Sequence, residues 1–289
     1  MPQAPTDYNE IRRIAITAIF SDDVLFERVV LKGGNALSLA LGLSRRTSLD
    51  LDFSIENDFE DLDDIRARLS KALEDRFRAA GLRVFDFKLE PKPSVARAGQ
   101  DPRWGGYLAS FKLAEREKFE HVNSELAALR RDSLVIGPNQ QRAFTIDLSK
   151  YEYITGKLEV ELDNYTIYVY SPAMIAIEKL RAICQQMPEY TMQRNPSARA
   201  RDFYDIHLIM SATGMDLTAP DKIELLRNIF AAKKVPLRLL GRIKDQREFH
   251  RPDWDSVRVS SKGENLGEFD TYFDSVVRLT HSMKTFWEE

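Results

Sequence analysis

Two kinds of hydrophobic spacing alternate along the first part of the chain. Apolar residues recur every three or four positions in residues 7–20 and 59–80, which predicts amphipathic helices. A short helix is expected over 35–41, and a solvated, highly charged helix over 115–131. Short apolar or alternating runs predict strands at 29–31, 50–55, 82–89, 107–113 and 143–149, and a hairpin over 157–170 that turns at Asp163-Asn164.

The pattern changes at Ser171-Pro172, a pair typical of a helix start. Helical spacing dominates beyond it, with helices predicted over 172–187, 200–212, 220–233 and 268–287. The expected fold class is therefore α+β, with an N-terminal mixed sheet flanked by helices and a mostly α-helical C-terminal domain. The predicted domains are residues 1–170 and 171–289.

The composition and charge indicate the class of protein but do not identify its binding partner. The 289 residues carry a formal net charge of −3, which argues against a uniformly basic nucleic-acid binder, although 42 Lys and Arg side chains are enough to form a local patch. No apolar run approaches the roughly 18 residues that span a bilayer, and the N-terminus lacks a signal pattern, so we expect a cytoplasmic protein. The lone Cys184 falls among apolar helix positions, which predicts a buried thiol.

Carboxylates on two predicted strands are the first candidate chemistry. Asp50 and Asp52 alternate with apolar residues and therefore point to one face, and Asp147 occupies the polar face of another strand. Like charges this close repel each other unless a cation or a proton relieves them. Oxygen ligands suit Mg²⁺ or Mn²⁺ better than zinc, and the chain has no Cys/His cluster with zinc-site spacing.

A glycine pair precedes these acids. Lys32-Gly33-Gly34 lies between a predicted strand and a helix, where the backbone can approach a ligand and the helix N-terminus favours phosphate. A plain tight turn is the alternative interpretation. The loop over residues 44–48 adds two arginines and three hydroxyl groups, for which phosphate contact and a solvated loop are both possible.

Two charged residues in the helical half lie at or beside apolar stripes. Lys179 is at the edge of the stripe in the first of these helices, and Asp202 shares a face with Ile206 and Ile209 in the next. The structural alternative is a snorkelling lysine or an ion pair of Lys179 with Asp202, with Asp205 lying beside the same stripe.

Four motifs in a fixed order resemble a known family. They are Lys-Gly-Gly-Asn-Ala-Leu at 32–37, Ser-Leu-Asp-Leu-Asp-Phe at 48–53, Glu-Lys-Leu-Arg-Ala at 178–182 and Arg-Asp-Phe-Tyr-Asp-Ile at 201–206. The glycine turn and strand acids resemble the nucleotidyltransferase superfamily related to DNA polymerase β. All four motifs together resemble the AbiEii-type toxins of abortive-infection and toxin–antitoxin systems, which include the MenT type.

The resemblance implies a role for each matching residue. It implies a nucleotidyltransferase-like N-terminal fold in which Asp50, Asp52 and Asp147 bind Mg²⁺ or Mn²⁺. The expected catalytic residues are these acids together with Lys179 and Asp202. The expected nucleotide-binding residues are Lys32, Gly33, Gly34, Asn35, Ser48 and Lys179. The family often has Ser or Thr in the glycine motif, where this chain has Gly34 and Asn35.

The activity implied is transfer of a nucleoside monophosphate from an NTP to RNA, with tRNA as the expected acceptor and a cognate antitoxin as a possible partner. One alternative is an idle nucleotidyltransferase-like module that binds an antitoxin, RNA or protein. Another keeps the chemistry and changes the acceptor to a small molecule or a protein. A basic RNA-facing patch and a scattered solvated surface are the two interpretations of Arg194, Arg199, Lys233, Lys234, Arg238, Arg242 and Lys244.

Overall fold

The computed structural model describes residues 7–44, 50–94, 101, 104–121, 126–136, 140–192, 195–261 and 266–287. A large hydrophobic cluster of buried residues runs from the first helix through the sheet to the C-terminal helices. Within the described ranges, no helix combines the length and the hydropathy that crossing a membrane requires.

The centre of the molecule is a mixed seven-stranded sheet in the order β3-β4-β5-β2-β1-β7-β6. Two neighbouring pairs, β1 with β7 and β2 with β5, are parallel, and the other neighbours are antiparallel. The strands are β1 (Val29–Lys32), β2 (Leu51–Ile55), β3 (Leu82–Lys92), β4 (Gly106–Glu115), β5 (Phe144–Ser149), β6 (Leu158–Leu162) and β7 (Tyr165–Val169). The predicted mixed sheet is confirmed.

Helices flank the sheet and form most of the chain beyond it. They are α1 (Tyr8–Phe20), α2 (Asp23–Arg28), α3 (Gly33–Asn35), α4 (Leu62–Ala79), α5 (Arg116–His121), α6 (Leu126–Asp132), α7 (Pro172–Cys184), α8 (Ala200–Thr213), α9 (Pro220–Ala232), α10 (Arg247–His250), α11 (Trp254–Ser260) and α12 (Phe269–Ser282). The last strand ends at Val169 and α7 begins at Pro172, which places the predicted change of architecture where Ser171 caps the helix through the amide of Met174. The division into two domains stays a prediction.

Three segments differ from the expected elements. The helix expected over 35–41 is α3 followed by a π-helical turn, Ala36–Ala40. The charged helix expected over 115–131 is described as α5 and α6, with the residues between them outside the described ranges. The region 237–260 was not assigned from the pattern and contains the 3₁₀ segment Leu237–Gln246, then α10, a further 3₁₀ turn and α11.

The central strands lie where the fold brings distant parts of the chain together. β1 is buried along its whole length. One of its neighbours in the sheet, β2, precedes β3 and β4 in the chain, and the other, β7, follows them. The ends of β1, β2 and β5 therefore meet in the middle of the sheet, next to the helices that follow residue 171.

Candidate active site

Three charged residues form a row across the middle of the sheet. Lys32 on β1 is paired in register with Asp52 on β2, and Asp52 is paired with Asp147 on β5. Asp50 precedes β2 on the same face as Asp52, and its carboxylate accepts a hydrogen bond of 2.9 Å from the hydroxyl of Thr145. The three acids expected from the sequence are thus brought to one region, although Asp147 is almost a hundred residues from the other two.

The turn after β1 passes directly over Asp52. Gly33 has φ +69°, and a Cβ at this position would lie 2.8 Å from Oδ2 of Asp52. A side chain is therefore opposed both by the backbone conformation and by lack of space. Gly34 continues into α3, and its carbonyl oxygen accepts a hydrogen bond of 2.9 Å from the hydroxyl of Ser38.

Asn35 links this turn by a hydrogen bond to Asp50, which directly precedes β2. The residue is fully buried, its Nδ2 donates to the backbone oxygen of Asp50 at 2.6 Å, and its Oδ1 accepts from Arg12 at 2.6 Å. Both ends of the amide thus contact protein groups, which fixes the position of Asp50. Direct contact of Asn35 with a nucleotide stays a prediction, and Ser48 lies outside the described residues.

The charged groups in and around the row shift one another's pKa values. Burial raises the pKa of Asp52 to about 7; the Lys32 ammonium opposes this rise, and the carboxylates of Asp147 and Asp50 add to it. Burial alone would lower the pKa of Lys32, but Glu152 and Glu178 raise it above its ordinary value. A charged lysine therefore lies beside three crowded acids.

The acids have the donor chemistry that a hard divalent ion requires. All their side-chain donors are oxygens, which fits Mg²⁺ or Mn²⁺, and the like charges around Asp52 are relieved by a bound cation. In the present side-chain arrangement Asp147 is paired with Lys92. Across the described parts of the chain, no group of three or more His, Cys, Asp or Glu residues is already arranged to hold a metal. Loading would require Asp147 to exchange Lys92 for the ion.

A cleft of about 340 Å³ opens beside Asp147, and groups from both halves of the chain line it. The sheet contributes Lys32, Asp147 and Ser149, and the hydroxyl of Ser149 accepts a 3.2 Å hydrogen bond from Lys32. The helical half contributes Arg181, Arg199 and Lys233. At the cleft, cations of the helical half therefore face Asp147 of the sheet.

Glu152 organises the cations of this cleft. Its buried carboxylate lies 2.7 Å from Nη1 of Arg181, 3.5 Å from Nζ of Lys32 and 3.6 Å from Nζ of Lys233. Burial opposes its ionisation, but Arg181, Lys32 and Lys233 hold the pKa of Glu152 at about 2. Glu178 adds a second carboxylate, 3.3 Å from Arg181. Three cations share two acids, which leaves excess positive charge on one wall of the cleft. We call Lys32, Arg181 and Lys233 the cationic wall.

Lys233 is the member of the cationic wall whose pKa lies below its ordinary value. Its ammonium is buried and donates to the backbone oxygen of Lys150 at 2.6 Å. Burial lowers its pKa to about 8; the neighbouring Arg181 and Lys32 add to this shift, and Glu152 opposes it. An anion in the cleft would stabilise its charged form.

Lys179 and Asp202 form an ion pair, which is the structural alternative for these two residues. Nζ of Lys179 lies 2.8 Å from Oδ1 of Asp202 and 2.8 Å from Oδ2 of Asp205, and all three residues are buried. Lys179 is not among the residues that line the cleft. The second oxygen of Asp202 pairs with Arg199, which does line it. The structure therefore brings Arg199, rather than Lys179, to the cleft.

The same cluster is firmly ionised. Although burial opposes its charge, Arg199 and Lys179 hold the pKa of Asp202 well below its ordinary value. Asp202 and Asp205 raise the pKa of Lys179 against the effect of its burial. The cluster is a fixed charged support beneath Arg199.

Several lining residues were not identified as site residues from the sequence. Glu152 and Trp104 carried no recognised signal, Arg181 lies inside the third motif, and Arg199 and Lys233 were considered only for a basic patch. Of the other patch residues, Arg194 lies outside the described residues, and Lys234, Arg238, Arg242 and Lys244 are exposed. Lys234 pairs with Asp101 and Arg242 with Asp245, so part of that surface is neutralised.

Known protein families and solved structures include some that are similar to this chain. A family model described as nucleotidyl transferase AbiEii toxin of type IV toxin–antitoxin systems matches residues 14–277. No curated protein sequence matches the chain. Similar solved structures include JHP933 from Helicobacter pylori, with 16% identity, a TM-score of 0.47 and coverage of 99% of this chain and 95% of the other.

Two further structures were compared. A candidate nucleotidyltransferase from H. pylori has 17% identity, a TM-score of 0.41 and coverage of 97% of this chain and 95% of the other. An antigenic nucleotidyltransferase-like protein from Paracoccidioides brasiliensis has 15% identity, a TM-score of 0.37 and coverage of 81% and 95%.

Proposed function

The chain belongs to the AbiEii family of nucleotidyltransferase toxins of type IV toxin–antitoxin systems, and from this premise we propose that it transfers a nucleoside monophosphate from an NTP to an RNA acceptor, with tRNA as the expected acceptor. The observation that carries the proposal is the row Lys32, Asp52 and Asp147 beneath the side-chain-free Gly33. It joins strand carboxylates, a close-approach turn and a cationic wall in one place.

Asp52 and Asp147, with Asp50, are the residues that would hold Mg²⁺ or Mn²⁺. When bound there, such an ion polarises phosphoryl oxygens and stabilises the charge on the attacking and leaving oxygens. Thr145 orients the carboxylate of Asp50, and Asn35 fixes the backbone of the same residue. The chain itself thus positions the Asp50 carboxylate.

The reaction balances with the groups available. An acceptor hydroxyl oxygen forms a bond to the α-phosphorus, the bond from that phosphorus to the β-phosphate oxygen breaks, and pyrophosphate leaves while the hydroxyl proton passes to solvent. Gly33, without a side chain, lets the turn approach the Asp52 carboxylate closely. The cationic wall and Arg199 counter the negative charge that grows on the departing pyrophosphate.

We assign Lys179 and Asp202 a positioning role within this proposal. Their ion pair lies behind Arg199 and is buried. A buried, fully paired support fixes the guanidinium at the cleft without touching the nucleotide. This differs from direct phosphate binding by Lys179, which the sequence resemblance implied.

Family membership also supports a cognate antitoxin as a partner. Expression of the chain alone should then arrest growth, and the arrest should require the strand acids. Co-expression of the antitoxin should relieve it.

A labelling experiment tests the reaction. The purified protein is incubated with each α-labelled NTP, Mg²⁺ and total RNA, and the labelled species is identified by gel and sequencing. We expect one NTP to label an RNA species, and chelation of the metal to abolish labelling. Asp52→Asn and Asp147→Asn should each reduce labelling by at least about a hundredfold, whereas Asp255→Asn, whose side chain is 89% exposed, should not.

Other outcomes would redirect the proposal. NTP binding without incorporation into any acceptor would favour an idle binding module. Label in a protein or a small molecule would keep the chemistry and overturn the RNA acceptor. Full labelling by a folded Asp52→Asn protein would contradict the assignment of the row as the active site.

A further inference from the structure

Gly105 and Gly106, at the start of β4, lie directly against the backbone of neighbouring segments. Gly105 has φ +104°, and a Cβ on it would overlap the carbonyl oxygen of Lys92. A Cβ on Gly106 would overlap the carbonyl oxygen of Leu148. Any side chain at either position would push the loop away from the strands, so this pair fixes where the preceding residue, Trp104, lies.

Trp104 is also linked to the helical half through Asp101. The amide of Trp104 donates to the backbone oxygen of Asp101 at 2.9 Å, and the carboxylate of Asp101 pairs with Lys234. Lys234 is adjacent in sequence to Lys233 of the cationic wall. Trp104 is thus held at the cleft from both sides.

Trp104 differs in character from the other residues of the cleft. Among the described residues that line it, Trp104 is the one aromatic side chain, and the rest are charged, polar or small. It is only half-buried. Of the other tryptophans, Trp254 is buried in the core, and Trp287 packs over Gly241 and donates from its indole to the backbone oxygen of Thr280. Packing explains those two, whereas Trp104 lies partly exposed at the cleft.

We propose that Trp104 stacks on the nucleobase of the NTP whose phosphates bind at the cationic wall. This rests on the proposed function for the presence of an NTP in the cleft. A nucleotide combines a polyanion with a flat aromatic base, and the cleft combines clustered cations with one aromatic ring. Stacking of this kind tolerates every base because each has a π-face. Trp104 therefore selects nucleotides over bare polyphosphates.

Intrinsic tryptophan fluorescence provides a readout that does not depend on transfer activity. Each NTP is titrated into the intact protein without an RNA acceptor, and affinity is measured in parallel by calorimetry. We expect nucleotide binding to quench fluorescence, and inorganic tripolyphosphate to compete for the site without quenching. Trp104→Phe, which retains a stacking ring and the other tryptophans, should bind NTP within about threefold of the wild type and lose the quench.

A second variant separates stacking from folding. Trp104→Ala should weaken NTP binding by about five- to a hundredfold and leave tripolyphosphate affinity unchanged. Equal weakening of both ligands would show a structural role and overturn the proposal. So would wild-type NTP affinity in Trp104→Ala, or an undiminished quench in Trp104→Phe.

A further titration tests whether Trp104 stacks on the base of the NTP or on a base of the RNA acceptor. A short single-stranded RNA is titrated in place of NTP. If the RNA alone causes the Trp104-dependent quench and NTP does not, the aromatic residue belongs to the acceptor and the proposal fails. Quenching by NTP with no later transfer of label would leave Trp104 as a stacking residue and overturn only the proposed function.

Discussion

At the scale of single residues, Gly33 and Gly42 form a natural matched pair. Both have positive φ, +69° and +64°, but a Cβ would lie 2.8 Å from Asp52 at the first and would meet nothing within 4 Å at the second. Gly33→Ala and Gly42→Ala should therefore lose similar stability from backbone strain, about 1–2 kcal/mol each. Only Gly33→Ala should also lose nucleotidyl transfer, by about a hundredfold, because it displaces Asp52.

Thermal unfolding and labelling assays on the two glycine variants check this prediction. Equal activity in both would mean that the close approach over Asp52 is unimportant for the reaction. The glycine motif predicts a turn at which the backbone approaches a ligand closely. The distance from this turn to Asp52, however, depends on the pairing of β1 with β2, which the motif does not specify.

Arg199 and Lys179 provide a second comparison at the same scale. Arg199→Met removes a partly exposed cation from the cleft and should weaken NTP binding; it should cost less stability than Lys179→Met, because Asp202 keeps Lys179 as a partner. Lys179→Met leaves Asp202 and Asp205 without a buried cation between them and should cost about 3–5 kcal/mol of unfolding free energy. Arg242→Met, at an exposed arginine outside the cleft, is the control.

Chemical denaturation and calorimetric NTP titration separate these effects. Should Lys179→Met keep wild-type stability and lose only NTP affinity, the direct phosphate role implied by the sequence resemblance would replace the positioning role. The sequence could not decide between them, because the partner of a lysine at a stripe edge depends on how α7 packs against α8.

At the scale of elements, α8 takes its N-terminal cap from a distant segment. Nδ1 of His250 accepts the amide of Arg199 at 3.0 Å, and Asp253 accepts the amide of Ala200 at 3.1 Å. His250 must be neutral at Nδ1 to accept. Burial lowers its pKa to about 4; Arg199 also lowers it, and Asp202 opposes the shift.

This cap predicts a pH-dependent stability. Because the unfolded histidine, with a pKa near 6.5, binds a proton more readily than the folded one, stability is lost as the pH falls from about 6.5 to 4, by up to about 3 kcal/mol. His250→Asn keeps an acceptor that does not titrate and should flatten this part of the pH profile. His281→Asn, at an exposed histidine, should leave it unchanged. Denaturation curves across this pH range test the assignment, and an equal slope in wild type and His250→Asn would contradict it.

The elements also show where sequence patterns were informative. The Asp163-Asn164 turn adopts positive φ at both residues, +50° and +63°, as a two-residue hairpin turn requires. The segment 237–246 was not assigned from the pattern; it is a 3₁₀-helix whose buried residues are Leu239, Leu240 and Ile243. Its buried side is nevertheless apolar, with Leu240 and Ile243 in the core.

At the scale of the whole molecule, the limits of sequence reasoning come from long-range pairing. The acids on β2 and β5 were each identified by alternation within their own strand. Their register, Asp52 beside Asp147, joins strands separated by β3 and β4 in the chain. Glu152 was missed for the same reason, because only the folded chain shows that Lys32, Arg181 and Lys233 converge on it.

Glu152 also connects the sheet region to the helical half, which gives the last prediction. Its pair with Arg181 of α7 is buried, so removal of either partner leaves an uncompensated charge. Glu152→Gln and Arg181→Met should each lose about 3–5 kcal/mol of unfolding free energy. The double variant should lose clearly less than the sum, because the second substitution removes the charge that the first left unpaired.

The two single variants should differ in one respect that stability alone does not show. Glu152→Gln leaves three cations with less opposing charge, so the folded protein should bind tripolyphosphate more tightly at low salt, whereas Arg181→Met should bind it more weakly. Calorimetric titration at two salt concentrations measures this. Additive losses of stability, together with equal changes in anion affinity, would mean that Glu152 does not organise the cationic wall. Opposite changes would show that one buried carboxylate both joins the two halves of the chain and sets the charge of the cleft between them.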